Sequence, residues 1–341
     1  MMKKRIEYID LAKGICIFLV VLNHETYYYN ISFPLQDVLN QFRLPLYFIL
    51  SGLFFKKYSG FADFAVRKTN KLLIPFASFF LLTCIIQDML LGHLGVKTLF
   101  QELFVYERLH YNYAIWFLPC LFEVNIFFYM INNFVRSKYQ YLFAIFIGVF
   151  GILLQSIDLP FYTDKAIVFL PFFMFGFFLK NQTNFLSNEP YWKKDILFVS
   201  LFLTISLLFP LLFFSQSAFL HVFIQTLQFY VCGIAGTMII LFVARLLRKV
   251  QPFSFWGRYS VVILCTHFVF IIHIKHIFDR MQIVGLNGMI LNIVLTMLLC
   301  SFCVPSFVKY LPYMVAQKDL FTWKKRDDIV TVEVNSVAES H

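Results

Sequence analysis

Lys13 and His24 stand eleven positions apart in one apolar run, IDLAKGICIFLVVLNHETYYY. At about 100° per residue that offset closes roughly three helical turns, so the two side chains share a face, on the order of 16 Å apart along the axis. A neutral imidazole takes a proton from a hydroxyl as general base, or acts itself as a nucleophile. A lysine ammonium neutralises an anion as a point charge. In a helix that crosses a bilayer, the lysine lies near the surface and the histidine deep inside. A titratable ring at that depth costs free energy unless it faces a cavity or a partner, so a working site is expected there.

The elements that must hold this pair are read from composition. Hydrophobic residues make up 60% of the 341 and charged ones 14%, and the mean hydropathy is +0.73. Those values exclude a soluble globular domain and indicate an all-α, polytopic integral membrane protein. About ten apolar stretches are long enough to span. They cover residues 9–29, 41–55, 70–92, 112–133, 139–156, 165–180, 195–214, 218–244, 258–278 and 286–309.

Charge supports that count, because lysine and arginine concentrate in alternate loops. One set comprises Lys3, Lys4 and Arg5, then Lys56, Lys57, Arg67, Lys68 and Lys71, then Arg136 and Lys138, Lys180, Lys193 and Lys194, and Arg245, Arg248, Lys249 and Arg258. Lys309, Lys318, Lys324, Lys325 and Arg326 complete it, whereas the opposite loops hold Arg43, Lys97, Arg108, Lys165, Lys275 and Arg280. Both termini are therefore expected in the cytoplasm. Topology accounts for most of the net charge of +10, and nucleic-acid binding is not needed to explain it.

MMKKR before an apolar run resembles a secretory signal, but the run ends in NHETYYYN with no small-residue cleavage pattern. An uncleaved first helix is expected. The seven cysteines fall inside the spans as small apolar packers, and the CxxC spacing of Cys300 and Cys303 is weak evidence for a redox or metal site. No metal site is suggested, since His221, His273 and His276 lack a matched carboxylate or cysteine partner. Most of the 46 phenylalanines read as packing, while Trp116 and Tyr27, Tyr28 and Tyr29 fit an interfacial belt. Residues 1–315 form the membrane domain, and 316–341 a polar cytoplasmic tail, disordered or a short surface helix.

Several polar groups remain that neither packing nor topology explains. Arg43 and Ser51 belong to QFRLPLYFILSG, Glu123 lies mid-span in IWFLPCLFEVNIFFY, and His267 in GRYSVVILCTHFVF. Trp116 and Glu123 share one helix face and Ser260 and His267 another, so these faces are candidates to line a central cavity. Glu123 and His267 are equally readable as structural interhelical hydrogen-bonding groups.

At this point the run RIEYIDLAKGICIFLVVLNH (5–24) resembles the opening of the membrane-bound acyltransferase-3 family, which includes bacterial surface-glycan O-acetyltransferases and fucose 4-O-acetylase-like proteins. Later segments match in order: FRLPLYFILSGLFF, RKTNKLLIPF, IWFLPCLF, FLPFFMFGFFLK and WGRYSVVILCTHFVF, so the similarity covers roughly residues 5–275. Where the family carries an arginine ahead of the histidine, this chain has Lys13. Arg43 stands where many members carry histidine or another polar residue.

The resemblance implies acyl transfer from cytoplasmic acyl-CoA, most often acetyl-CoA, to a hydroxyl of a glycan or lipid-linked sugar, in the plasma membrane of a bacterium. His24 would be the catalytic imidazole, oriented by Glu123, with Arg43 or the backbone at Ser51 and Gly52 stabilising the oxyanion. Glu25 is the poorer orienting candidate, because its side chain points about 100° away from that of His24. Lys13, Arg67, Lys68 and Lys71 would bind the phosphates of the donor. Ser51, Trp116 and His267 are candidate substrate contacts, and His273 and Lys275 lie near the outer mouth. A transporter or flippase of a glycan or lipid-linked intermediate also has many spans and buried polar groups, but related halves with Gly/Pro-broken helices are not visible in the sequence.

Overall fold

The computed structural model describes residues 6–33, 36–91, 112–153, 159–180, 192–212 and 218–323. Lys3, Lys4, Arg5, Lys97, Arg108, Lys324, Lys325 and Arg326 and the tail beyond residue 323 lie outside them, as does the side chain of His221. Among the described residues the structure is helical, with no strand.

α1 (Glu7–Tyr28) is followed by the short α2 (Gln36–Phe42) and α3 (Pro45–Leu53). α4 (Phe61–Lys68) continues through a wide π-helical turn, Thr69–Leu73, into α5 (Ile74–Leu91). A 3₁₀ turn at Tyr113–Trp116 leads into α6 (Phe117–Phe134). Next come α7 (Gln140–Leu153), α8 (Thr163–Leu179), α9 (Trp192–Leu212) and α10 (Ala218–Leu247). The last three are the short α11 (Phe253–Arg258), α12 (Ser260–Arg280) and α13 (Gly285–Tyr310).

Five helical segments among the described residues are long and apolar enough to cross a membrane: Phe61–Ile86, Tyr113–Phe134, Ile224–Leu247, Ser260–Arg280 and Gly285–Tyr310. α13 shows the lipid-facing pattern plainly, with Phe302 82% exposed and Leu298 60% exposed on one side and Asn292, Thr296 and Cys300 buried on the other. α1 is long enough but interrupts its apolar run with Lys13, Asn23, His24 and Glu25.

The stretch 41–55 is not one spanning helix. Pro45 has no N–H to bond into the preceding turn, so the chain breaks at Arg43 and Leu44 and restarts with Pro45 in the first turn of α3. At about 1.5 Å per residue the nine residues of α3 reach roughly 14 Å, about half of a ~30 Å hydrocarbon core. The stretch at 258–278, by contrast, is one continuous helix, α12, set off from α11 by the break at Tyr259.

Two glycine crossings set the packing around α1 and α3. A Cβ on Gly14 would sit 1.8 Å from Phe253 O, and one on Gly257 1.7 Å from Asp10 O, so α1 and α11 touch backbone to backbone. Gly52 against Phe173 O at 1.8 Å and Gly176 against Ile49 O at 1.9 Å do the same for α3 and α8. Membrane helices approach this closely only through such small residues. Trp256 of α11 then stacks on Phe18 at 6.0 Å and donates from Nε1 to Ser301 Oγ at 2.9 Å, tying α1 to α13.

Phenylalanine fills the core, as in the stacked pair Phe48 and Phe169, 4.4 Å apart with 6° between the rings. α9 and α10 are joined by the Asp195–Arg245 ion pair, 0% and 7% exposed. Beyond α13 the chain turns back rather than leaving the domain. Lys71 Nζ donates to Ala316 O at 2.8 Å and pairs with Asp319 at 2.9 Å, so residues 316–323, expected in a free or surface-lying tail, lie against the π-helical turn.

Candidate active site

α1 presents Lys13, Ile17 and Val20 to a cavity of about 250 Å³. Tyr47, Leu50 and Ser51 of α3 line it, with Lys68 and Leu72, Leu118 and Leu121, and Ser260 and Leu264 from the other sides. The wall is mostly apolar, with its ammonium groups contributed by Lys13 and Lys68. Tyr47 OH donates to Lys13 O at 3.0 Å and fixes α3 against α1 at this level.

Continued about one turn past the cavity lining, the stripes on α1 and α12 each reach a histidine. His24 follows Val20 by one turn, and His267 follows Leu264 by about one turn. Their rings stand 5.4 Å apart, tilted by 41°, and the edge of Phe268 closes against His24 at 5.3 Å. His267 Nδ1 lies 2.8 Å from Ile263 O. A carbonyl only accepts, so Nδ1 carries the proton of the neutral ring and Nε2 keeps its lone pair. That Nε2 is buried with no hydrogen-bond partner.

Further along the chain a second cavity of about 460 Å³ opens, lined by Asn23, Thr26 and Tyr27 of α1, by Asn30 just beyond it, and by Gln36, Asn40 and Arg43. Arg43 donates to Asn40 Oδ1 and lies within electrostatic reach of the His24 ring. Gln36 Nε2 donates to Thr26 Oγ1 at 3.0 Å, while Gln36 Oε1 is buried with no partner. Leu44 belongs to the first cavity and its neighbour Arg43 to the second. The broken α2–α3 junction thus stands between two chambers of different chemistry, one apolar with cations, the other rich in amides and hydroxyls.

Of the four basic residues expected to hold phosphates, the structure brings Lys13 and Lys68 to one cavity. Arg67 is instead paired with Asp63 at 2.7 Å and covers the Tyr58 ring at 4.8 Å. Lys71 is held by the C-terminal segment. Their proximity in sequence reflects the charge rule for loops, and helix rotation divides them.

Glu123 does not join His24. Its polar neighbours are Thr163 and Asp164 at the start of α8. Trp116 shares that side, 8% exposed, near Tyr162 at 5.8 Å and under Lys165 Nζ at 5.8 Å, so it is an interior residue rather than an interfacial anchor. Glu25 points away from His24, as its helix angle requires, and is fully buried beside Thr296 and Tyr29.

Asn23, Asn30, Gln36 and Asn40 were not among the expected site residues. A signal existed in the spacing: Asn23 and Tyr27 continue the stripe of Ile17 and Val20 at intervals of three and four.

The apolar helices long enough to cross a bilayer are those of a membrane protein. A family model described as an acyltransferase domain matches residues 6–307, and the chain belongs to this acyltransferase-3 family. It is accordingly a membrane-embedded acyltransferase. Neither the curated proteins nor the solved structures give a match.

Proposed function

We propose that the protein transfers an acyl group, acetyl in the first instance, from cytoplasmic acyl-CoA to a hydroxyl of a cell-surface or lipid-linked glycan. In this reading about ten spans cross the plasma membrane of a bacterium, both termini are cytoplasmic, and the partners are acyl-CoA, the glycan acceptor and the bilayer. The observation that carries it is that the two cavities meet α1 at Val20 and Asn23, on either side of the level of His24 along the chain, one apolar with cations and the other lined by amides.

The donor phosphates bind Lys13 and Lys68 at the inner end, each as a point charge. The pantetheine arm runs along Ile17 and Val20 and presents its thioester at His24. The acceptor enters from the amide-lined chamber. His24 takes the hydroxyl proton as the oxygen attacks the thioester carbonyl, and Arg43 stabilises the resulting oxyanion. Collapse breaks the carbon–sulfur bond, and the departing thiolate recovers the proton from His24. The balance is acyl-S-CoA plus R–OH giving R–O-acyl plus CoA–SH, with no other reactant. The lone pair on His267 Nε2 suits it to receive an N–H from His24 and to hold the tautomer in which the other His24 nitrogen is a base. That is the orienting role expected of Glu123.

Membranes containing the protein, given labelled acetyl-CoA and a bacterial glycan extract, should pass the label to glycan in alkali-labile ester linkage. Movement of unmodified glycan across the membrane without labelling would overturn the reading in favour of transport.

A further inference from the structure

The π-helical turn between α4 and α5 has two faces with different tasks. Lys68 and Leu72, four residues apart, point into the cation-bearing cavity. Asn70, two residues from each, lies on the opposite face, 1% exposed. There it makes a complete set of amide hydrogen bonds. Its Oδ1 accepts from Leu320 N at 2.8 Å and Phe321 N at 2.9 Å. Its Nδ2 donates to Phe321 O at 2.7 Å and to Val66 O at 3.0 Å. The next residue, Lys71, adds the contacts to Ala316 O and Asp319.

The C-terminal segment is therefore bound, by its own backbone, to the back of the turn whose front carries Lys68. A buried side-chain amide that replaces backbone partners for two residues of another segment holds that segment in one register. The turn itself needs such support. π-helical turns are rare and occur mostly as single turns inserted in α-helices, frequently at functional sites.

We propose that Asn70 is a positioning residue for donor binding. It latches residues 311–323 behind the turn and thereby sets Lys68 toward the anionic part of a nucleotide thioester. The inference rests on the acyl-CoA reading above. The C-terminal segment, outside the cavity, thus governs affinity for the phosphate-bearing end of the donor without touching it.

The test compares acetyl-CoA with S-acetylpantetheine, which carries no phosphate, as ligands of the purified full-length protein. Asn70→Ala is expected to reduce the preference for acetyl-CoA about tenfold while leaving S-acetylpantetheine affinity unchanged, and to hasten tryptic cleavage at Lys318 as the segment is released. In a Lys68→Ala background the same substitution should add nothing to the loss of preference, because both act through one group. Faster cleavage with an unchanged preference, an equal fall for both ligands, or additive losses with Lys68→Ala would each overturn the proposal. Failure of the wild-type protein to bind either thioester would instead overturn the acyl-CoA reading itself.

Discussion

The imidazoles of His24 and His267 face one another across α1 and α12, 5.4 Å between ring centroids, about one turn past the two cavity-lining stripes. His267 is fixed by its bond to Ile263 O, and His24 faces it. This pairing gives different expectations for the two substitutions. His24→Ala removes the base and should reduce acetyl transfer by at least the ~10²–10⁴-fold associated with general-base catalysis, with membrane insertion intact. His267→Ala should cost less, on the order of tenfold, because it frees the tautomer and ring of His24 without removing them. Initial rates of label transfer from acetyl-CoA in matched membranes check both. Wild-type activity in His24→Ala would sink the assignment.

The stripe from Lys13 to His24 was legible because a single helix obeys its period regardless of what surrounds it. Ser260 and His267 were legible as a pair for the same reason. Glu123 was not, since the rotation of α6 about its axis is decided by packing against α8 and not by any spacing within α6. Arg67 and Lys71 were misplaced for a related cause: loop charge records which side of the membrane a residue is on, but not which way it points. The break at Arg43 and Leu44 was written locally, in Pro45. Its consequence was not, because only the tertiary structure shows that adjacent residues enter separate chambers.

Lys13→Ala and Lys68→Ala should each weaken acetyl-CoA binding about tenfold, the effect of losing one charge-assisted contact to phosphate. Arg67→Ala should change it less than about twofold, since its partners are Asp63 and the Tyr58 ring at an exposed site. Titration of the purified variants with acetyl-CoA separates the three. An effect of Arg67→Ala equal to that of Lys68→Ala would move the phosphate site out of the cavity.

Arg43 lies within electrostatic reach of His24 without a carboxylate partner among the described residues, hydrogen-bonded to Asn40. If it stabilises the oxyanion, Arg43→Ala should lower the turnover rate by about 10²-fold, as for loss of one oxyanion donor, with little change in donor affinity. Arg43→Lys should recover part of that rate. A pure rise in acceptor KM with unchanged turnover would make Arg43 a binding group for the glycan instead.

The glycine crossings predict a rank order of stability. Gly257→Ala places a Cβ 1.7 Å from Asp10 O, and Gly176→Ala one 1.9 Å from Ile49 O, in both cases against backbone. Neither helix can yield without moving its partner, so each should cost at least about 1–3 kcal/mol, the usual range for overpacking. Gly148→Ala meets side-chain atoms of Pro171 and Tyr230 at 3.1 and 3.3 Å and should cost less. Thermal unfolding in detergent gives the order directly, and an unshifted midpoint for Gly257→Ala would mean that α1 and α11 are not in backbone contact.

The Asp195–Arg245 pair joins α9 to α10 where Asp195 is 0% exposed. Asp195→Ala removes the buried carboxylate that the guanidinium faces, and breaking a buried pair from one side typically costs about 3–5 kcal/mol. Replacing both partners, as in Asp195→Leu with Arg245→Met, removes two desolvation penalties together with the attraction, so the double variant should be more stable than Asp195→Ala alone. The cation over the Phe242 ring at 5.1 Å shows that an apolar side chain already borders this site and has surface for the methionine to cover. Detergent unfolding midpoints of the single and double variants decide the matter. If the double variant is the less stable of the two, the pair contributes net attraction and not merely mutual neutralisation.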